Sequence, residues 1–111
     1  MPGVGSAQHA MQRLAAHGIP ALLPTLRMPL LGICLGMQLL FEASDEAPEG
    51  EGPTRCLGLL PGRVTRLAPV PGRPVPHMGW NRLAPLSPDP LIEGIGRDDY
   101  VYFVPGYAAP L

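Results

Sequence analysis

Cys34 is the residue in this chain most able to do covalent chemistry. It sits in the run Leu-Leu-Gly-Ile-Cys-Leu-Gly-Met-Gln-Leu-Leu-Phe (residues 30–41), between Gly32 and Gly36. An apolar stretch precedes it and an apolar-periodic one follows, so the local reading is strand, sharp turn, helix, with the cysteine at the corner. Such a corner strains the backbone of the central residue, and glycine flanks leave space for it. The thiol then projects above the carboxyl end of the strand. The helix start aims free N–H groups and the positive dipole end at the sulfur, which favours thiolate. This is a nucleophile elbow built with Cys. The ordinary alternative is a small buried cysteine in a core strand, since free Cys packs as a small hydrophobe. The Gly-x-Cys-x-Gly spacing at a strand-to-helix break favours the nucleophile.

The elements that must hold this corner are readable on both sides of it. Pro2-Gly3-Val4-Gly5 brackets one apolar residue with two glycines. Ser6 reads as an N-cap, and Ala7, Ala10, Met11, Leu14 and Ala15 recur at helical spacing. Gly18 closes that helix as a C′ residue. Ile19, Pro20, Ala21, Leu22 and Leu23 form a short apolar segment of open type. Residues 30–34 read as a parallel strand covered on both faces. Met37, Leu40 and Phe41 are expected to give the next helix its buried stripe.

Residues 42–52, with Asp45, Glu46, Glu49 and Glu51, read as a solvated acidic loop. Residues 57–60, the Pro61-Gly62 turn and residues 64–67 read as a hairpin or two short strands. Residues 69–74 are a proline-rich connector. Residues 100–104, Tyr-Val-Tyr-Phe-Val, are a β-branched and aromatic strand signal ending at Pro105-Gly106.

A length of 111 residues is enough for one domain, and residues 1–111 are read as one. Lys+Arg 8 against Asp+Glu 9 gives a net charge of −1, so there is no basic footprint for nucleic acid or an anionic membrane. Cys34 and Cys56 lack metal-ligand spacing and do not form a secreted disulfide framework. No secretory leader pattern is present, and the longest apolar run is interrupted and shorter than the roughly 20 residues that cross a bilayer. A soluble, reducing, cytoplasmic setting is expected, with no metal or organic cofactor.

The string Gly-Ile-Cys-Leu-Gly-Met-Gln (residues 32–38) resembles the nucleophile motif of the class I glutamine amidotransferases. Its continuation Met-Gln-Leu-Leu-Phe-Glu (37–42) resembles the glutaminase subunits of imidazole glycerol phosphate synthase, which act in histidine biosynthesis. The resemblance implies an α/β fold: a three-layer, flavodoxin-like sandwich, here incomplete. It implies glutamine as substrate, a thioester on Cys34 and ammonia delivered to a cyclase partner subunit. Such chemistry needs donors for the oxyanion and an imidazole to protonate the leaving ammonia. One donor is expected to be the Leu35 N–H, directly after the nucleophile. The resemblance supplies the other as the Val4 N–H, in a Pro-Gly-Val-Gly oxyanion strand where Gly3 and Gly5 permit a peptide flip. It also places Gln38, Gly106 and Tyr107 at the glutamine.

Pro-His-Met-Gly-Trp-Asn (76–81) is similar to the family segment that faces the cyclase. His77, Met78, Trp80 and Asn81 are therefore implied partner-interface residues, with Tyr102 near Trp80. On residue type alone, Trp80 reads as a core residue and His77 as a surface histidine; the intact hexapeptide favours the interface instead. The family's base lies elsewhere than His77. The chain departs from the family pattern where Pro105 replaces a His and Gly106 a Ser, and where Cys56 stands in place of a Gly; Cys56 is read as structural.

The family's His-x-Glu pair comes well after the Tyr-Phe-Val segment. None of His9, His17 or His77 has a Glu two residues on. The chain therefore reads as truncated at both ends relative to the family, and as inactive alone. Two further readings stand beside the glutaminase: a catalytically silent partner-binding piece, and another cysteine hydrolase on the same architecture. Gln38 and the segment 76–81 count against the last, because general thiol chemistry requires neither.

Overall fold

The computed structural model describes residues 1–85, 87–96 and 98–110. They form mixed α/β structure in two compact units, one made of Met1–Leu67 together with the segment starting at Tyr107, the other of Ala68–Gly106.

In the first unit, strand β1 (Pro2–Gly3) leads into helix α1 (Ala7–Ala16). Ser6 caps α1 as its sequence predicts: extended at φ −89°, it accepts the His9 amide on Oγ at 3.4 Å. The far end stops where Gly18 turns left-handed at φ 68° and donates to the Ala15 carbonyl at 3.0 Å. The apolar segment beyond resolves into a single helical turn, α2 (Ile19–Leu22), and a 3-10 turn (Leu23–Thr25). Prolines stand in the first turn of each, where a missing N–H costs no helical bond.

Strand β2 (Ile33–Cys34) pairs in parallel with β1, matching Pro2 to Ile33 and Gly3 to Cys34. The strand expected over residues 30–34 is thus only two residues long, and it is not covered on both faces. Leu30, Leu31 and Ile33 are 39%, 49% and 54% exposed. Among the described residues this sheet has two strands, β1 and β2.

Helix α3 (Leu35–Gln38) follows at once. Of the expected stripe over this helix and the residues after it, Leu40 is buried while Met37 and Phe41 are only half-buried, and Leu35 and Leu39 enter the core as well. The helix ends after one turn because the chain bends into a second sheet, and that bend rotates the apolar positions. Leu35, Leu39, Ala7 and Cys56 make the core cluster, with Met11 and Leu14 of α1 packed on it. Burying each such leucine contributes about 1.5–3 kcal/mol.

The second sheet runs β4 (Thr54–Arg55), β3 (Ala43–Ser44), β5 (Arg63–Arg66), β8 (Tyr107–Ala108). β3 is antiparallel to β4 and parallel to β5, and β5 is antiparallel to β8. Two expectations change here. The acidic segment 42–52 is not wholly a solvated loop, since it contributes β3 with a fully buried Ser44. Residues 57–60 are not a strand. Their amides instead donate to the carbonyls of Leu39, Phe41 and Leu40, just beyond the end of α3, at 2.8–2.9 Å.

In the second unit, β6 (Gly79–Arg82) and β7 (Tyr100–Phe103) form an antiparallel ribbon in the register Trp80 to Tyr102 and Arg82 to Tyr100. β7 coincides with the aromatic strand read from sequence. A 3-10 turn (Pro90–Ile92) is capped by Asp89, whose carboxylate accepts the Leu91 amide at 2.8 Å. Among the described residues no helix is long and apolar enough to cross a membrane.

Candidate active site

Cys34 lies at the junction of β2 and α3 with φ 55° and ψ −124°, and among the described residues no other non-glycine has positive φ. That backbone is costly for an L-residue and persists only where its surroundings impose it. The two flanking glycines show how they do so. A Cβ on Gly32 would lie 2.5 Å from Met37 Cα and 2.8 Å from its nitrogen, and one on Gly36 would collide with the Met1 carbonyl. Both positions are filled by backbone that cannot step aside, so strand and helix start are clamped together with the thiol outside. Cys34 is exposed.

Leu35 opens α3, buried at 4% exposure, and its carbonyl accepts the Leu39 amide at 2.9 Å. As the first helical residue, its own N–H is free of intrahelical bonding. Gly3 is the register partner of Cys34, which brings β1 beside the nucleophile. Val4 follows, 94% exposed, and Gly5 sits at φ 113° with nothing within 4 Å of a built Cβ. Gln38 points inward, and its Nε2 donates to the Tyr107 carbonyl at 3.5 Å. The first unit therefore holds Gly3, Val4, Gly5, Cys34, Leu35, Gln38 and Tyr107. Gly106 belongs to the second unit, beside Pro76.

The residues expected at a partner face all fall in the second unit. Trp80 and Tyr102 meet edge-to-face, with ring centroids 5.3 Å apart at 66°. Met78 and Trp80 are 61% and 66% exposed, so Trp80 is not a core residue of its unit. The Asn81 side-chain amide lies against Nε2 of His77, whose backbone N–H donates to the Pro105 carbonyl at 2.8 Å.

Sequence reasoning missed Glu46. Its carboxylate accepts the amide of Ala7 at 2.9 Å, joining the acidic segment to the first turn of α1 across 39 residues. Its backbone is held by the buried hydroxyls of Ser44 (accepting from Glu46 N at 3.1 Å) and Thr54 (donating to Glu46 O at 2.6 Å). Nothing local distinguishes Glu46 from the other acids of its run. Burial, and then the nearby Glu46 charge, push the Cys56 thiol above its usual 9.0. Its S–H donates to the Thr54 carbonyl at 3.5 Å.

Residues 1–110 match the family glutamine amidotransferase class-I. The chain belongs to that family. It is 56% identical over 111 residues to the imidazole glycerol phosphate synthase subunit HisH of Xylella fastidiosa (strain Temecula1 / ATCC 700964). It is 53% identical to the subunit of that name from Xanthomonas oryzae pv. oryzae (strain MAFF 311018), and 51% to that from Xanthomonas axonopodis pv. citri (strain 306). Each match covers 100% of this chain and 53% of the relative. The chain thus spans about half the length of the curated relatives it matches.

Proposed function

We propose that this chain is the nucleophile-bearing part of a glutaminase subunit of imidazole glycerol phosphate synthase. In that role it hydrolyses glutamine to glutamate and passes ammonia to a cyclase (lyase) subunit, as a cytoplasmic heterodimer in histidine biosynthesis. The observation that carries the reading is Cys34, exposed at φ 55° between two glycines that admit no side chain, in a chain of the amidotransferase family. The pattern is that of a nucleophile elbow, and we assign it to the flavodoxin-like three-layer architecture that the family motif implies.

In the mechanism so assigned, the Cys34 thiolate attacks the side-chain carbonyl carbon of glutamine, and the carbonyl oxygen becomes an oxyanion. The Leu35 and Val4 amides donate to it, each such donor contributing on the order of 10²-fold in rate. The C–N bond breaks, ammonia leaves with a proton supplied by an imidazole, and water hydrolyses the thioester to glutamate. Main-chain groups of Gly106 and Tyr107 are assigned to the amino-acid end of the substrate, and Gly3, Gly5 and Gln38 to glutamine binding. His77, Met78, Trp80, Asn81 and Tyr102 dock the cyclase.

The reading is tested by incubating the protein with a glutamine-mimicking chloromethyl ketone. Stoichiometric adduct at Cys34, prevented by excess glutamine and absent in Cys34→Ala, supports it. Labelling that glutamine does not slow overturns it. A second reading, a catalytically silent partner-binding piece, is supported by the exposed, edge-to-face Trp80–Tyr102 pair of the second unit. It expects no ammonia release from glutamine when the cyclase subunit is present, while binding to that subunit persists.

A further inference from the structure

The β6–β7 ribbon carries more on its exposed face than the Trp80–Tyr102 pair. Side chains alternate along a strand, so Trp80 and Arg82 share a face with their register partners Tyr102 and Tyr100. The second cross-strand pair is also closed: the Arg82 guanidinium carbon stands 5.2 Å over the centre of the Tyr100 ring. Tyr100 is 51% exposed and the Arg82 side chain 57%, so solvent reaches both.

A guanidinium laid on a ring is held by the π face, yet keeps the in-plane N–H donors of its planar fork. Its acidic neighbour in the unit is Asp98 at 3.5 Å, whose side chain is 96% exposed. A pair so solvated holds the fork weakly. Arg82 is therefore pre-ordered by Tyr100 and under-engaged by Asp98. Fork donors of this kind match a carboxylate in two-point geometry, and Trp, Tyr and Arg are the types that dominate binding energy at interfaces.

We propose that Arg82 is a second anchor of the partner face, and that the protein docking there presents a carboxylate to it. That carboxylate lies about 7 Å, two strand residues, from the site that receives Trp80. This rests on the reading of the ribbon as the cyclase-facing surface. The occupant is thus a cyclase-subunit patch with an apolar recess beside an acidic side chain.

The test is calorimetric titration of the full chain with the cyclase subunit at about 0.05 M and about 0.5 M salt, which bracket strong and weak screening. Wild type should bind more weakly at high salt. Arg82→Ala should weaken binding at least about thirtyfold at low salt and flatten the salt dependence, the lower end for truncating one partner of a buried charge pair. Arg82→Lys should not restore it, because an ammonium lacks the planar fork. Asp98→Asn should leave binding unchanged or tighter. Trp80→Ala should weaken binding about a hundredfold while the salt dependence stays as in wild type. Wild-type affinity and salt slope in Arg82→Ala overturn the proposal while the Trp80 loss keeps the partner-face reading intact. Wild-type binding by Trp80→Ala, or no binding by wild type, overturns both.

Discussion

The α-carbon of Gly36 lies against the carbonyl oxygen of Met1, so closely that even a methyl group at position 36 would overlap it. The same carbonyl accepts the Ile33 amide at 3.0 Å. One oxygen thus ties the first strand both to the strand that delivers Cys34 and to the helix that leaves it. Gly36→Ala should cost at least about 1–3 kcal/mol, the usual cost of overpacking, and should reduce labelling of Cys34 by the glutamine analogue. Gly52, with open space around it and no positive φ, is the control: Gly52→Ala should fall within about 0.5 kcal/mol of wild type. Urea unfolding of the two variants makes the comparison, and equal midpoints would remove the clamp.

The two thiols should separate cleanly in competitive alkylation read by mass spectrometry. Cys34 is exposed, whereas Cys56 is buried with its thiol pushed above 9.0 by burial and by Glu46. At neutral pH Cys34 should label at least about tenfold faster, since the thiolate is the nucleophile. A raised folded-state pKa means that the fold favours the neutral thiol. The stability this contributes is fully present below 9.0 and is lost as pH rises through the higher folded value. Cys56→Ala should therefore flatten the alkaline limb of the stability profile, though cavity formation lowers stability throughout. Preferential labelling of Cys56 in folded protein would count against the burial argument.

What was legible in the sequence was local. Ser6 and Gly18 bound α1 because capping is settled within one turn, and Cys34 between two glycines announced its corner because the steric demand is local too. The strand over residues 30–34 was read too long because pairing is non-local: composition shows that Leu30 and Leu31 are apolar but not whether a strand lies beside them. β4 has two residues and no alternation to read. β6 was missed because Gly79, Asn81 and Arg82 lack strand character, and only pairing with the aromatic β7 makes them one. The Trp80–Tyr102 proximity followed from the family motif rather than from any periodicity. Glu46 was invisible for the plainest reason, since its partner Ala7 is 39 residues away.

That long-range cap makes Glu46 a measurable contributor to stability. Glu46→Ala removes an acceptor and a negative charge from the first turn of α1, together about 0.5–2 kcal/mol. Glu46→Gln keeps an acceptor and should lose less. Both should lower the pH at which Cys56 becomes reactive, because the Glu46 charge is one cause of its raised value. Thermal melts and a thiol-labelling pH series check the two effects on the same variants. A Cys56 profile unmoved by Glu46→Gln would leave burial as the sole cause.

The oxyanion assignment at Val4 rests on the backbone freedom of Gly5, which sits at φ 113° with open space around it. A side chain there meets no atom but resists the conformation, at a cost of about 1–2 kcal/mol. Gly5→Ala should therefore lower stability modestly while displacing the Val4 amide. Labelling of Cys34 by the glutamine-mimicking chloromethyl ketone should fall about a hundredfold, the lower range for losing one oxyanion donor. Simple alkylation of Cys34 by iodoacetamide, which forms no oxyanion, should be unchanged. Gly58, at φ 65° and equally open, separates strain from chemistry: Gly58→Ala should show the stability loss without the labelling loss. If both variants label alike, the strain explains everything and Val4 is no donor. If Gly5→Ala slows iodoacetamide as well, the substitution has moved Cys34 itself.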